Sequence, residues 1–186
     1  MDKRIQNTRE RIRDAYIKLL MDKSEPRLTV TAIARQANID RKTFYLHYET
    51  VEDVMLDLVQ RIAEEFVELL EERGFLENSV DVGVFYQTLG RILNKYSALF
   101  RFVAVRPAME CFWHEIRHEL TDRLIERYRE RVVVKPDVLY IYLYFLLGGM
   151  QEVYREWLRG SFQLSMEELG RLTSDVAFEG FSSILK

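Results

Sequence analysis

Two groups of residues in this 186-residue chain have the types and spacing to do chemistry. The first is Arg41, Lys42, Thr43, Tyr45 and His47, which follow directly on an aspartate. Arginine or lysine can pair with O6 and N7 of guanine in the major groove. Threonine, tyrosine and histidine can donate to phosphate oxygens. Two cations in the first turn of a helix oppose its macrodipole, a cost that an anion at that end removes; a nucleic-acid backbone is such an anion. The second group is His114-Glu115-Ile116-Arg117-His118, an H-E-x-x-H run. That spacing sets two imidazoles one turn apart for Zn²⁺, with a glutamate to activate water, as in zinc peptidases. Cys111, His114 and His118 stand at i, i+3 and i+7, and thiolate and imidazole are ligands for zinc or copper. The extended peptidase signature breaks down at Thr121 and Leu124. A zinc hydrolase and a metal-responsive protein using Cys111, His114 and His118 are therefore kept as alternatives, and no cofactor is expected.

The elements that must hold the first group are two short helices and a turn. Thr29 can cap a helix whose Ile33, Ala34 and Ala37 form one apolar face. Asn38 closes it, because asparagine tolerates a left-handed backbone better than any residue but glycine. Asp40 caps the next helix, in which Phe44 and Tyr48 face inward together. Arg41, Lys42, Thr43, Tyr45 and His47 are left pointing outward. Two helices joined by a tight turn are how a protein presents one helix to the major groove.

No strand pattern stands out, and the periodicity predicts nine helices, near 4–21, 30–37, 41–48, 51–73, 81–96, 98–105, 107–132, 136–159 and 165–185. Gly74 and Gly160 are read as helix ends, Pro107 and Pro136 as helix starts, and Ser165 as the cap of the last helix. The expected fold is all-α: a three-helix helix-turn-helix domain over 1–50 and a helical bundle over 51–186. The helix from Pro136 is apolar nearly all round between Val138 and Gly149, so it must be covered on most sides. Gly148-Gly149 allows close backbone approach. A homodimer built on this helix and the last one is the expectation.

Composition bounds the function. Hydrophobic residues make up 48% of the chain, enough for a core. No run of 18 apolar residues exists, so no membrane partner is expected. The polar start lacks the apolar core of a signal peptide, and one cysteine excludes an internal disulfide; a cytoplasmic protein is expected. The net charge of −3 is unevenly spread: residues 1–48 carry +5 and residues 49–186 carry −8. A basic head on an acidic body suits a protein that meets double-stranded DNA at one end.

Thr29, Ile33, Ala34, Ala37, Thr43, Phe44, Tyr45 and His47 coincide with T-x-x-x-I-A-x-x-A-G-V-S-x-x-T-F-Y-x-H-F. The stretch thus resembles the tetracycline-repressor (TetR) family of bacterial regulators, from about Thr8 to the start of the helix at Val51. Asn38 stands where that family has glycine, Tyr48 where it has phenylalanine, and Val51 where a phosphate-contacting lysine is common. A second stretch, Phe145-x-x-Gly148-Gly149, Trp157-Leu158-x-Gly160 and Ser165-x-Glu167-Glu168-Leu169, is similar to a subset that regulates dihydroxyacetone kinase operons. The resemblance implies a DNA-binding transcriptional regulator, a repressor and not an enzyme, that binds a palindromic operator as a dimer through its last two long helices. It implies contacts from Arg41, Lys42, Thr43, Tyr45 and His47, with Thr29 and Thr31 near the phosphates. It also implies control by a small effector, or by a protein partner, in the C-terminal part. Phe102, Phe112, Trp113 and Tyr144 are the candidate pocket residues among the aromatics there.

Overall fold

The computed structural model describes residues 3–22, 28–77 and 81–181. They form α1 (Lys3–Met21), α2 (Val30–Gln36), α3 (Arg41–Tyr45), α4 (Val51–Glu72), α5 (Val82–Lys95), α6 (Ser97–Ala104), α7 (Glu110–Tyr128), α8 (Pro136–Arg159) and α9 (Met166–Phe181). Two differences from the sequence expectation stand out. Pro107–Met109 is a single 3₁₀ turn, with α7 beginning after it, and α7 gives way to a second 3₁₀ turn at Arg129–Arg131. α3 is only five residues long, and Leu46 to Tyr48 continue it as a turn. The predicted last residues of α9, beyond 181, lie outside the described residues.

The chain divides into two compact units, Met1–Gln60 and Arg61–Lys186. In the first, α1 packs on α2 and α2 on α3. The core is made by Ile12, Tyr16, Ile33, Phe44, Tyr48, Val54 and Leu58. These are the positions that recur at helical spacing, so each short helix buries one face and leaves the other in water. Helices of seven and five residues would not persist alone, because nucleation is costly. Caps and packing hold them here.

The local signals act as their chemistry requires. Thr29 Oγ1 accepts from the Ala32 amide at 3.2 Å, and Asp40 Oδ1 from the Thr43 amide at 2.7 Å. Asn38 turns the chain with φ of 53°, in the left-handed region. Thr50 and Asp53 form a reciprocal capping box at the head of α4: the Asp53 amide donates to Thr50 Oγ1 at 3.1 Å, and Asp53 Oδ2 accepts from the Thr50 amide at 2.7 Å.

In the second unit α7 packs chiefly on α8, α8 on α6, and α5 on α9. Leu139, Leu143, Leu147, Met150, Tyr154 and Leu158 form the buried stripe of α8. Ser165 and Glu168 cap α9 reciprocally, with Ser165 Oγ accepting from the Glu168 amide at 3.1 Å and Glu168 Oε2 accepting from the Ser165 amide at 2.8 Å. Arg155 is a buried cation in this unit. It donates to both oxygens of Glu110, at 3.0 and 2.7 Å, and to Glu152 at 2.7 Å, and it lies 5.3 Å from the Trp113 ring centre. A desolvated guanidinium is tolerated because two carboxylates and a ring face compensate it.

Candidate nucleic-acid interface

α3 and the turn after it stand between two open grooves. One, of about 800 Å³, runs along Arg4, Thr8, Arg11, Asn38, Thr43 and His47. The other, of about 440 Å³, runs along Arg9, Tyr45, Tyr48, Glu49 and Gln60. Leu46 and His47 border both. A short convex helix flanked by clefts is the shape that enters a groove about 12 Å wide. Phe44 anchors the ridge from below, fully buried, with its ring 5.7 Å from Tyr45 and 5.8 Å from Tyr48.

Arg41, Lys42 and Tyr45 are exposed along the ridge, as are Thr29 and Thr31 on α2. Arg41 donates to the Tyr45 hydroxyl at 3.4 Å, and its guanidinium carbon lies 5.9 Å from the centre of that ring. Thr43 and His47 are half-buried. The Thr43 hydroxyl already donates to Asp40 Oδ2 at 3.1 Å, so its oxygen remains as an acceptor. Hydrogen bonds from Thr43, backbone first, hold the Asp40 carboxyl below its ordinary range, so Asp40 carries full charge at the head of α3. Burial, and then the charge of Arg9, hold the His47 imidazole below its ordinary pKa. At neutral pH it is therefore an uncharged donor.

The structure separates the basic residues of the first unit into two kinds. Arg11 donates to the carbonyls of Ala37 and Asn38, capping the end of α2. Arg9 and Arg13 both bind Asp57, each at 2.6 Å. Three of the cations counted in the basic head thus hold the fold, while Arg41 and Lys42 stay on the ridge. Leu46 escapes notice in the sequence because it fills an unspecified place in the motif and is apolar. It is 74% exposed between Tyr45 and His47. An exposed leucine there has the chemistry to meet a thymine methyl group.

The residues singled out for metal are not gathered into a site. Cys111, His114 and His118 are all exposed on α7. The two imidazole centres are 6.2 Å apart, and His118 Nδ1 lies 3.1 Å from Asp122 Oδ2. At about 1.5 Å rise per residue, positions i and i+7 are roughly 10 Å apart along the axis, too far to share one ion. Among the described residues no group of three or more His, Cys, Asp or Glu is placed to hold a metal.

The aromatics proposed for a pocket are dispersed. The second unit holds two apolar cavities, of about 60 and 80 Å³, with Phe85, Leu147 and Met150 lining both. Trp113 lines the larger. Phe112 is fully buried against Phe100 and Trp113. Phe102 lies under the Arg106 guanidinium, 3.4 Å from its carbon. Tyr144 stacks on Tyr140 with ring centres 5.5 Å apart and accepts from Arg117 at 3.1 Å.

Capped short helices α2 and α3 packed with α1, followed in the chain by a helical bundle with apolar cavities, define an all-α protein with a helix-turn-helix. The chain has the fold of the TetR-family transcriptional regulators and carries their helix-turn-helix. It is similar to the dihydroxyacetone kinase operon activator DhaS, with a TM-score of 0.60 at 19% identity, covering 96% of this chain and 98% of that one. It matches a TetR transcriptional regulator from Streptococcus agalactiae equally well, with a TM-score of 0.60 at 23% identity over 95% of this chain and 96% of that one. In sequence it is 26% identical to the HTH-type transcriptional regulator TcmR of Streptomyces glaucescens, over 83% of this chain and 75% of that one. It is 34% identical to the HTH-type regulator YxbF of Bacillus subtilis over 71 residues; that match covers 38% of this chain and only 19% of the relative. No protein-family model matches the chain. No helix among the described residues is long and apolar enough to cross a membrane.

Proposed function

We propose that this protein is a DNA-binding transcriptional regulator that sets α3 into the major groove of a palindromic operator as a homodimer. The observation that carries the reading is the ridge: Arg41, Lys42 and Tyr45 exposed on a capped helix, with its apolar side locked down by Phe44. Arg41 and Lys42 read base edges, Thr29 and Thr31 approach phosphates, and Tyr45, Thr43 and His47 add hydrogen bonds without charge. Residues 1–50 are the DNA-binding domain in this reading, and 51–186 serve dimerisation and effector response.

The dimer is supported by an apolar stripe on the second unit. Along α8, Val138, Ile141 (65% exposed), Tyr142 and Phe145 (82% exposed) follow at three- and four-residue spacing, opposite the buried face. Leu172 and Val176 (80% exposed) form a similar stripe on α9. Gly149 has open space beside it, whereas Gly148 faces Arg117 within the chain. Exposed leucines and valines scattered singly are ordinary; two aligned stripes on adjacent helices mark an interface. A second copy of the same chain satisfies them by two-fold symmetry, and it supplies the second recognition helix that a palindrome needs.

Repression, relieved by a small effector in the second unit, is the regulatory sign we favour. Activation is the second reading, because DhaS, similar over nearly the whole chain, is named an operon activator. The test is a gel shift with promoter fragments at several salt concentrations, repeated with Arg41→Ala and Lys42→Ala, followed by a reporter assay with the retained fragment. Retention of a discrete fragment that both substitutions weaken supports the reading. A reporter that falls when the regulator is supplied supports repression. If no duplex is bound at low salt, the reading is wrong.

A further inference from the structure

Arg117 is a half-buried cation without an ion pair among the described residues. It lines the larger cavity of the second unit, among Phe66, Leu89, Ile116, Leu120 and Leu147. Its Nε is buried with no hydrogen-bond partner. Of the acids on α7, Glu110 is bound by Arg155, whose hydrogen bond holds that carboxyl low, and the charge of Arg117 reaches it and helps; Glu119 is bound by Arg123, and Asp122 faces His118. Among the described residues its side chain hydrogen-bonds to Tyr144, whose hydroxyl accepts from Nη2 at 3.1 Å and whose ring centre lies 4.6 Å from the guanidinium carbon. The guanidinium packs beside the backbone at Gly148, where a Cβ would stand 3.4 Å from Nη1.

An unpaired guanidinium in an apolar lining is costly, and a well-placed anion turns that cost into charge-assisted hydrogen bonds. The rest of the lining offers little polarity: Gln151 and Tyr154 lie on α8, and the second cavity is walled by Phe75, Leu124, Leu139, Leu143 and Leu146. Met150 stands in the common wall, and an unbranched thioether re-packs more readily than a branched side chain. At about 10–15 Å³ for each water-sized group, the two cavities together hold on the order of ten heavy atoms.

We propose that this site binds a monoanionic amphiphile of about that size, with its carboxylate on Arg117 and its saturated chain running past Met150 into the second cavity. This rests on the reading of the protein as an effector-controlled regulator and names the class of effector. Arg117 supplies two N–H donors to the head group, and Tyr144 is a positioning residue that holds the guanidinium in place. A cation is excluded by charge. A neutral alcohol fills the same apolar space and leaves Arg117 unpaired.

The test titrates the full chain with octanoate, 1-octanol and octylamine, followed by calorimetry and by Trp113 emission. Octanoate is expected to bind saturably, about tenfold or more tighter than octanol, with octylammonium weakest. Arg117→Met keeps the apolar stem and removes the charge. It is expected to weaken octanoate about tenfold and to leave octanol nearly unchanged. Octanol binding as well as octanoate, octanoate binding equally to R117M, or no saturation by octanoate at millimolar concentration would each overturn the proposal. The ligand ranking on the unaltered chain needs no variant to fold. A duplex gel shift on the same preparation separates the two claims: DNA retained with octanoate ignored sinks the ligand class alone, and octanoate bound with DNA ignored sinks the regulator reading instead.

Discussion

The phenol of Tyr48 donates to a carboxylate oxygen of Asp57 at 2.6 Å, tying the end of the recognition turn to α4. The same carboxylate receives Arg9 and Arg13 from α1, each at 2.6 Å. One acid therefore fastens three segments of the first unit. Tyr48 stands where the TetR-like motif has phenylalanine, so its hydroxyl is a feature of this chain. Tyr48→Phe should cost about 1–2 kcal/mol, the scale of a hydrogen bond to a charged group that keeps other partners. Asp57→Asn should cost more, about 2–4 kcal/mol, because two partly buried guanidiniums lose their counter-charge. Urea midpoints of the two variants check the order; equal midpoints with the parent would show the network contributes nothing.

The same tyrosine sets a pH dependence. Burial, the largest cause, and then the Asp57 contact push the Tyr48 phenol up to about 12. The unfolded phenol ionises near its ordinary value of about 10. The neutral, hydrogen-bonded form thus contributes stability that is fully present below about pH 10 and is lost as pH rises through about 12. Tyr154, also raised to about 12 by burial, adds to the same slope. Denaturation midpoints taken from pH 9 to 12 should fall in the parent and fall less steeply in Y48F.

His47 gives the opposite sign on DNA. Its imidazole is held below the ordinary value of about 6.5, so it is neutral at pH 7. Lowering the pH through its folded pKa adds a positive charge to the ridge. Duplex affinity should therefore rise once the pH falls through that lowered value, with a steeper salt dependence, and His47→Gln should remove that rise. Anisotropy titrations at two salt concentrations measure both.

Arg41→Ala and Lys42→Ala should each weaken operator binding by about 1–3 kcal/mol where the side chain reads a base. A residue that touches only phosphate weakens all sequences alike and lowers the salt slope by about one. Leu46→Ala should leave the salt slope unchanged and relax preference at a single thymine. A Leu46→Ala protein that binds every operator variant as the parent does would remove Leu46 from the interface.

Phe145→Glu places a charge on the most exposed residue of the α8 stripe. The monomer has nothing to lose there, since that ring is 82% exposed. Sedimentation should show the dimer converted to monomer with the fold intact by circular dichroism, and operator affinity should fall sharply as the second recognition helix is lost. A variant that sediments as the parent does would rule out this stripe as the dimer contact.

What could be read directly from the sequence was local. Thr29, Asp40 and Ser165 cap because their side chains bond amides within three residues, and Asn38 takes φ of 53° because its own backbone tolerates it. The helix-turn-helix, its outward cations and the all-α class follow from spacing alone, since both the 3.6-residue period and the caps are written over a few positions. What only the tertiary structure decided depends on partners distant in sequence. Arg9, Arg11 and Arg13 count equally as positive charge until Asp57 and the end of α2 claim them. His114 and His118 look like ligands until both prove to face water, outside any group of three such donors among the described residues. Arg117 looks like ordinary surface charge inside H-E-x-x-H until folding leaves its Nε buried beside an apolar cavity with no ion pair among the described residues. Charge and polarity are properties of a residue, but pairing and burial are properties of a place, and places arise only when segments dozens of residues apart are packed together.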